Sequence, residues 1–280
     1  MQIGLSLGSG GAKGYAHLGV IRALEEAGIR IGLVNGSSIG AIVGGAYALY
    51  HDVDAIVDLV ERLVRTMNVD FFNLFRYEGE RHSYLQNWLL NAFCDLSALR
   101  ESVLSHRTNQ RALEFLFGDR TFDETQVPFS AVACDLLAGE SIVLNEGRLA
   151  DGILPSIAIP GIFPPVARDG RLLVDGGVLA EVPVTQLRER GASFVIGSRL
   201  HPDPLPPCRS GFSLLTLADT LKERRLCEWA LDGADATIEV VLPGIDASRF
   251  EGYEEAIELG YQAARAALPE VLRKAEAADG

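Results

Sequence analysis

Cysteine is scarce in this chain, positive charge is in deficit, and no apolar run is long. The 280 residues hold four cysteines, Cys94, Cys134, Cys208 and Cys227, with no paired spacing among them. That excludes a disulfide framework as the organising device, so reduced thiols and a cytoplasmic setting are the expectation. Lys and Arg number 25 against 38 Asp and Glu, a formal charge of −13. Such a balance argues against a nucleic-acid partner and against strong electrostatic docking on anionic membranes. The longest apolar stretch, Ile39–Leu49, is interrupted by glycines and falls short of the roughly 20 residues that span a bilayer. The chain opens without a basic stretch followed by an apolar one, so no secretory leader is expected. No H-E-x-x-H and no paired Cys/His spacing occur, and neither a metal nor another cofactor is expected. Repeats and low-complexity tracts are lacking as well.

What is present is 48% hydrophobic residues and 29 glycines, enough for a sizeable core in one large α/β domain. Apolar periodicity alternates between period 2 and period 3.6. Strands are predicted at 2–7, 31–35, 127–134, 141–144, 171–174, 193–198 and 236–242. Helices are predicted at 15–27, 39–49, 52–66, 151–158, 183–190, 212–232 and 250–276, with a mostly helical stretch at 68–119. Alternation of this kind argues for a parallel-dominated sheet with helices on both faces.

Three glycine turns carry the chemistry. Gly36-Ser37-Ser38-Ile39-Gly40 reads G-x-S-x-G where an apolar strand gives way to a helix of small residues. A serine on that turn projects its hydroxyl from the backbone, and the new helix aims its positive end at developing charge. Gly8-Ser9-Gly10-Gly11-Ala12-Lys13-Gly14 joins the first strand to the first helix. Its amides suit an anion. The spacing departs from a dinucleotide loop at the third glycine, and no acidic residue closes the second strand; Lys13 stands before Gly14, which removes the P-loop reading. An oxyanion hole for the neighbouring serine remains, and a nucleotide-binding protein is kept as its rival. Asp175-Gly176-Gly177 follows the strand 171–174; by itself it is ordinary turn chemistry.

Together, S-G-G-A-K-G, G-S-S-I-G and D-G-G in that order resemble the patatin-like phospholipases of the small bacterial type. Ala16-His17-Leu18-Gly19-Val20, Pro128–Asp135 with Gly139-Glu140, Ser156–Pro165 and Ile257-Glu258-Leu259-Gly260-Tyr261 extend the resemblance over nearly the whole chain. It implies a patatin-like three-layer α/β sandwich, a mostly parallel sheet with helices on both faces, as a single domain over 1–280 with a helical insert at about 52–119. It also implies a Ser–Asp dyad of Ser38 and Asp175, an oxyanion hole from Gly10, Gly11 and Ala12, and support from Ser9, Lys13, Gly14, Gly36, Gly40, Gly176 and Gly177. The implied reaction is hydrolysis of lipid or phospholipid carboxylic esters through an acyl-enzyme. The implied partners are a lipid or other acyl-ester substrate and transient contact with a membrane surface. An acyltransferase using the same serine, and a weakly active protein with a binding role, stay open.

Three departures from the family pattern bear on rate and substrate. Ser9 stands where a third glycine is common, Lys13 where arginine is commoner, and Glu181 where asparagine is. Glu181 would either raise the Asp175 pKa by like charge or point into solvent. Among the histidines, His201 completes a Ser38–Asp175–His201 order typical of a triad, but it opens a proline-rich loop that mounts it poorly. His17 reads as a packed or capping residue; His51, His82 and His106 read as solvated. Phe71-Phe72-Asn73-Leu74-Phe75 reads as either an acyl-binding lip or a core-facing entry to the insert, and Ile162-Phe163-Pro164-Pro165 as either acyl-pocket lining or packing.

Overall fold

The computed structural model describes residues 1–66, 102, 104–201, 211–245 and 252–279. Phe71–Phe75, His82, Cys94, Cys208 and the prolines of 202–207 lie outside the described residues, as does most of the expected insert.

Among the described residues, eight strands form one sheet. They are β1 (Ile3–Leu7), β2 (Leu33–Ser37), β3 (Phe129–Asp135), β4 (Glu140–Leu144), β5 (Val166–Arg168), β6 (Arg171–Asp175), β7 (Phe194–Leu200) and β8 (Ala236–Val240). The order is β5-β6-β3-β2-β1-β7-β8, with β4 also on β3. The run β3-β2-β1-β7-β8 is parallel throughout, while β4, β6 and β5 pair antiparallel. Helices α1 (Ala16–Glu26), α2 (Ile39–Tyr50), α3 (Val53–Thr66), α4 (Arg107–Phe117), α5 (Leu149–Ser156), α6 (Val184–Glu189), α7 (Gly211–Leu231) and α8 (Tyr253–Asp279) flank it. None of the described helices is long and apolar enough to cross a membrane.

The period of two decides what each face buries. Leu5, Leu7, Val34, Phe129, Phe194 and Ile196 point into the larger core with α1, α2 and α8. The alternate residues Leu33 and Val195 meet Val184 and Leu187 of α6 and Cys227 of α7 on the other face. Helices α1 and α8 cross closely because each offers a glycine: a Cβ on Gly19 would lie 1.9 Å from the Ile257 carbonyl, and one on Gly260 1.9 Å from that of Ala16.

Differences from the sequence reading are local. The second strand runs two residues further than expected, through Gly36 to Ser37. The first helix is entered through a 3-10 turn, Gly11–Tyr15. Strand β5 was not expected; Asp169 and Gly170, with φ of 50° and 76°, form the two-residue turn of a hairpin with β6, and Asp-Gly is a strong sequence signal for one.

The two edges of β3 are shared among three strands. Strand β4 occupies one edge of β3 from Ala131 to Asp135. On the other edge β2 pairs as far as Ser37 with Val132, and β6 takes over with Asp175 opposite Ala133. Because β2 and β6 run in opposite senses, their last residues meet at consecutive positions along β3.

Candidate active site

Ser38 begins where β2 ends. Its φ of 55° and ψ of −124° lie where a non-glycine residue is strained, a cost of about 1–3 kcal/mol that persists only when the surroundings over-determine it. Those surroundings are visible. A Cβ on Gly36 would sit 2.1 Å from the Gly40 carbonyl, and one on Gly40 2.3 Å from the Leu7 carbonyl. Helix α2 therefore leaves β2 at a turn too tight for any side chain at either position. Gly14 packs on the same corner, where its Cβ would fall 2.1 Å from Ile39.

Asp175 closes β6 and caps the short turn that follows, its Oδ1 accepting the Gly177 amide at 2.8 Å. Its other oxygen accepts the Ser38 hydroxyl: Oγ to Oδ2 is 2.7 Å. Both side chains are nearly buried, at 8% and 6% exposure. Burial pushes the Asp175 carboxyl up to about 6, against the opposing pull of its hydrogen bonds from Ser38 and Gly177. Gly176 is seated on β3, where a Cβ would lie 2.1 Å from the Val132 carbonyl.

The segment from Ser156 to Ala158 anchors the backbone of both partners. Ser156, at the end of α5, accepts the Ser38 amide on Oγ at 3.0 Å and donates to the Val132 carbonyl at 2.6 Å. Two residues on, the Ala158 carbonyl accepts the Asp175 amide at 3.0 Å. The Ser38 amide is thus already engaged.

The Gly8–Gly14 loop lies against this pair. A Cβ on Gly177 would lie 3.1 Å from both Ser9 Oγ and Asp175 Oδ1. The Gly8 amide donates to the Ser198 carbonyl and the Ser9 amide to that of Glu181, each at 3.0 Å. Gly10 and Gly11 then turn through φ of 151° and 59°, conformations that glycine tolerates. The amides of Gly10, Gly11 and Ala12 precede the first bonded residue of the 3-10 turn, and no described backbone carbonyl takes them. Lys13 is buried beneath the loop.

A cavity of about 580 Å³ lined mainly by apolar side chains lies against the start of α2. Ile39 and Ile157, each adjoining a residue of the hydrogen-bonded cluster, line it together with Tyr15, Ile42, Val60 and Leu116. The arrangement brings together a hydroxyl, a raised carboxylate and three amides that no described backbone carbonyl accepts, with an apolar recess adjoining at Ile39 and Ile157; a site for acyl transfer to serine needs these components.

Other sequence expectations fare differently. Glu181 neither faces solvent nor appears among the causes of the Asp175 shift: it is 8% exposed, its own pKa is raised by burial, and Cys227 and Arg199 answer it. Its near neighbour Glu223, on α7, is pushed up to about 7, first by burial and then by Glu181 and Asp175. His201 lies against Glu239 at 3.3 Å, on the far side of β7 from β1, and Asp175 reaches Ser38 with no imidazole between them. His106 is not simply solvated; its ring stacks on Phe163, and the cavity is lined by Ile157 and not by Phe163. His17 is fully buried with both ring nitrogens engaged. No cluster of three potential metal ligands occurs among the described residues. Ser156 was missed as a site residue because its partners lie 118 and 24 positions away in sequence, and nothing local marks it.

A family profile described as patatin-like phospholipase matches residues 5–188. Over 208 residues the chain is 35% identical to an uncharacterised NTE family protein of Mycobacterium tuberculosis, covering 74% of this chain and 51% of that one. Over 196 residues it is 30% identical to the lysophospholipase NTE1 of Kluyveromyces lactis, covering 69% of this chain and 13% of that protein. The chain thus spans about half of the mycobacterial relative and a small part of the yeast one. The crystal structure of VipD from Legionella pneumophila shares the fold, with a TM-score of 0.51 and 16% identity over 96% of this chain and 66% of VipD. With a profile covering most of its length and all three glycine turns inside the match, the chain belongs to the patatin-like phospholipase family.

Proposed function

We propose that the protein is a serine acyl hydrolase of lipid carboxylic esters working through Ser38 and Asp175. Family membership supports lipid-ester hydrolysis in general terms; the dyad and the acyl-enzyme are our reading of the site. The observation that carries it is the 2.7 Å hydrogen bond from Ser38 Oγ to Asp175 Oδ2 beside three amides that no described backbone carbonyl accepts.

As Ser38 Oγ attacks the ester carbon, its proton passes to Asp175 Oδ2. The carbonyl π electrons move to oxygen, and the amides of Gly10, Gly11 and Ala12 hold the resulting charge. Collapse expels the alcohol oxygen, which takes the proton from Asp175, and leaves the acyl group on Ser38. Water then attacks the acyl-enzyme, gives its proton to Asp175, and Ser38 departs with that proton. A carboxylate is ordinarily a weak base, with a reference pKa of about 3.9; a value raised to about 6 brings it closer to working pH. The loop amides supply the larger share, since one oxyanion donor is worth about 3 kcal/mol. The apolar cavity takes the acyl chain.

Fluorophosphonate labelling of the wild type and Ser38→Ala, read by intact mass and peptide mapping, tests this without knowledge of the natural substrate. One adduct on Ser38, absent from the variant, is expected. Labelling at another serine, or none under conditions that label a control hydrolase, overturns the proposal.

A further inference from the structure

We propose that His17 is a positioning residue for the reaction: its imidazole fixes the Gly8–Ser9 peptide plane and thereby aims the amides of Gly10, Gly11 and Ala12. The inference rests on the reading of those amides as the oxyanion hole.

His17 is the second residue of α1 and is 0% exposed. Nε2 lies 2.9 Å from the Gly8 carbonyl oxygen and Nδ1 2.9 Å from Ser198 Oγ. A carbonyl can only accept, so Nε2 carries the proton. A neutral imidazole has one N–H, so Nδ1 is bare and accepts from the Ser198 hydroxyl. The tautomer is therefore set by its partners, and burial, which lowers the His17 pKa to about 4, keeps the ring neutral near pH 7.

The peptide linking Gly8 to Ser9 is planar, so its C=O and N–H move as one body. Its carbonyl is held by His17 and its amide, that of Ser9, donates to the Glu181 carbonyl at 3.0 Å. The same carbonyl is where the loop seats on the elbow: a Cβ on Gly40 would lie 2.6 Å from the Gly8 oxygen. Ser198 closes the ring, accepting the Gly8 amide on its own carbonyl at 3.0 Å. The next amide along the chain is that of Gly10. A leucine at position 17 would fill the volume without an imidazole to desolvate, but it would supply neither the donor to Gly8 nor the acceptor for Ser198.

The test uses His17→Leu, His17→Gln and Ser198→Ala with a p-nitrophenyl butyrate assay and fluorophosphonate labelling rates. For His17→Leu we expect kcat to fall about 100-fold, the order seen when an oxyanion donor is lost, with KM within about twofold. Labelling of Ser38 slows in parallel. His17→Gln keeps an N–H near the Nε2 position and recovers at least about a tenth of the wild-type kcat. Ser198→Ala removes only the tautomer-setting donor and lowers kcat about tenfold, the worth of one hydrogen bond to a buried group; it carries the test if His17→Leu fails to fold. If folded variants, judged by circular dichroism, label and turn over at the wild-type rate, or if kcat falls only with the folded fraction, His17 is structural and the proposal is wrong while the hydrolase reading stands. If the wild type itself is not labelled at Ser38, both fall.

Discussion

Replacing Asp175 by asparagine should make the protein inactive and, at neutral pH, more stable. Burial raises the carboxyl from 3.8 to about 6, and each pKa unit is worth about 1.4 kcal/mol. Below pH 3.8 the group is protonated both folded and unfolded, so its burial carries no charge penalty. Between 3.8 and 6 the folded chain keeps a proton that the unfolded chain releases, and stability declines as pH rises. Above 6 the full penalty of about 3 kcal/mol is present. Asparagine is nearly isosteric, its Oδ1 can still accept the Gly177 amide, and its Nδ2 can donate to Ser38 Oγ, so the fold keeps its contacts without the charge. Urea or thermal melts of both proteins across pH 4 to 8 check this. The expected gain at pH 8 is about 3 kcal/mol, a rise in Tm on the order of 5–10 °C for a chain of this size, shrinking toward zero near pH 4. His17, depressed to about 4, costs both proteins stability as pH falls below 6.5, and so cancels in the difference. A variant no more stable than wild type at pH 8, or a gain independent of pH, would refute the claim that desolvation sets the Asp175 pKa.

The same value predicts that kcat/KM of the wild type loses about tenfold per pH unit below about 6; a pH–rate profile flat down to pH 4.5 counts against Asp175 as the base. Ser156→Ala leaves the buried Ser38 amide without its acceptor, so we expect a loss of about 1–3 kcal/mol in stability and slower fluorophosphonate labelling, read by denaturation and stopped-time mass spectrometry. Ile42 lines the cavity, and Ile42→Trp should lower turnover of p-nitrophenyl palmitate at least about tenfold more than that of the butyrate ester, since each buried methylene is worth about 0.8 kcal/mol; equal losses on both esters would place the acyl chain elsewhere.

Much of the fold is local in origin and therefore legible. Leu5 and Leu7 alternate with Gly4 and Ser6 in β1, and the helices follow their apolar spacing, so element types emerge from period alone. Boundaries moved where backbone contacts, not side chains, decide: β2 continues through Gly36 and Ser37 because glycine lets the strand pass under α2. Strand β5 carried a signal in Asp169-Gly170 that its three residues made easy to overlook. Glu181 shows the converse: proximity in sequence to Asp175 suggested a charge effect, yet burial and the bonds from Ser38 and Gly177 are what set the Asp175 shift.

Alone, the sequence determined the three glycine turns, the alternation of strand and helix around them, and the residue types able to attack, accept a proton and hold an anion. Only the tertiary structure decided that they meet. Ser38 and Asp175 stand 137 residues apart in the chain, and they touch because β2 and β6 end head to head on one edge of β3. Ser156, His17 and Ser198 bind through backbone atoms and buried side chains brought in from other elements, and the carboxyl's shift depends on how much water the assembled fold removes. Periodicity and turns are set by neighbours in sequence, whereas register, desolvation and long-range hydrogen bonds are set by neighbours in space.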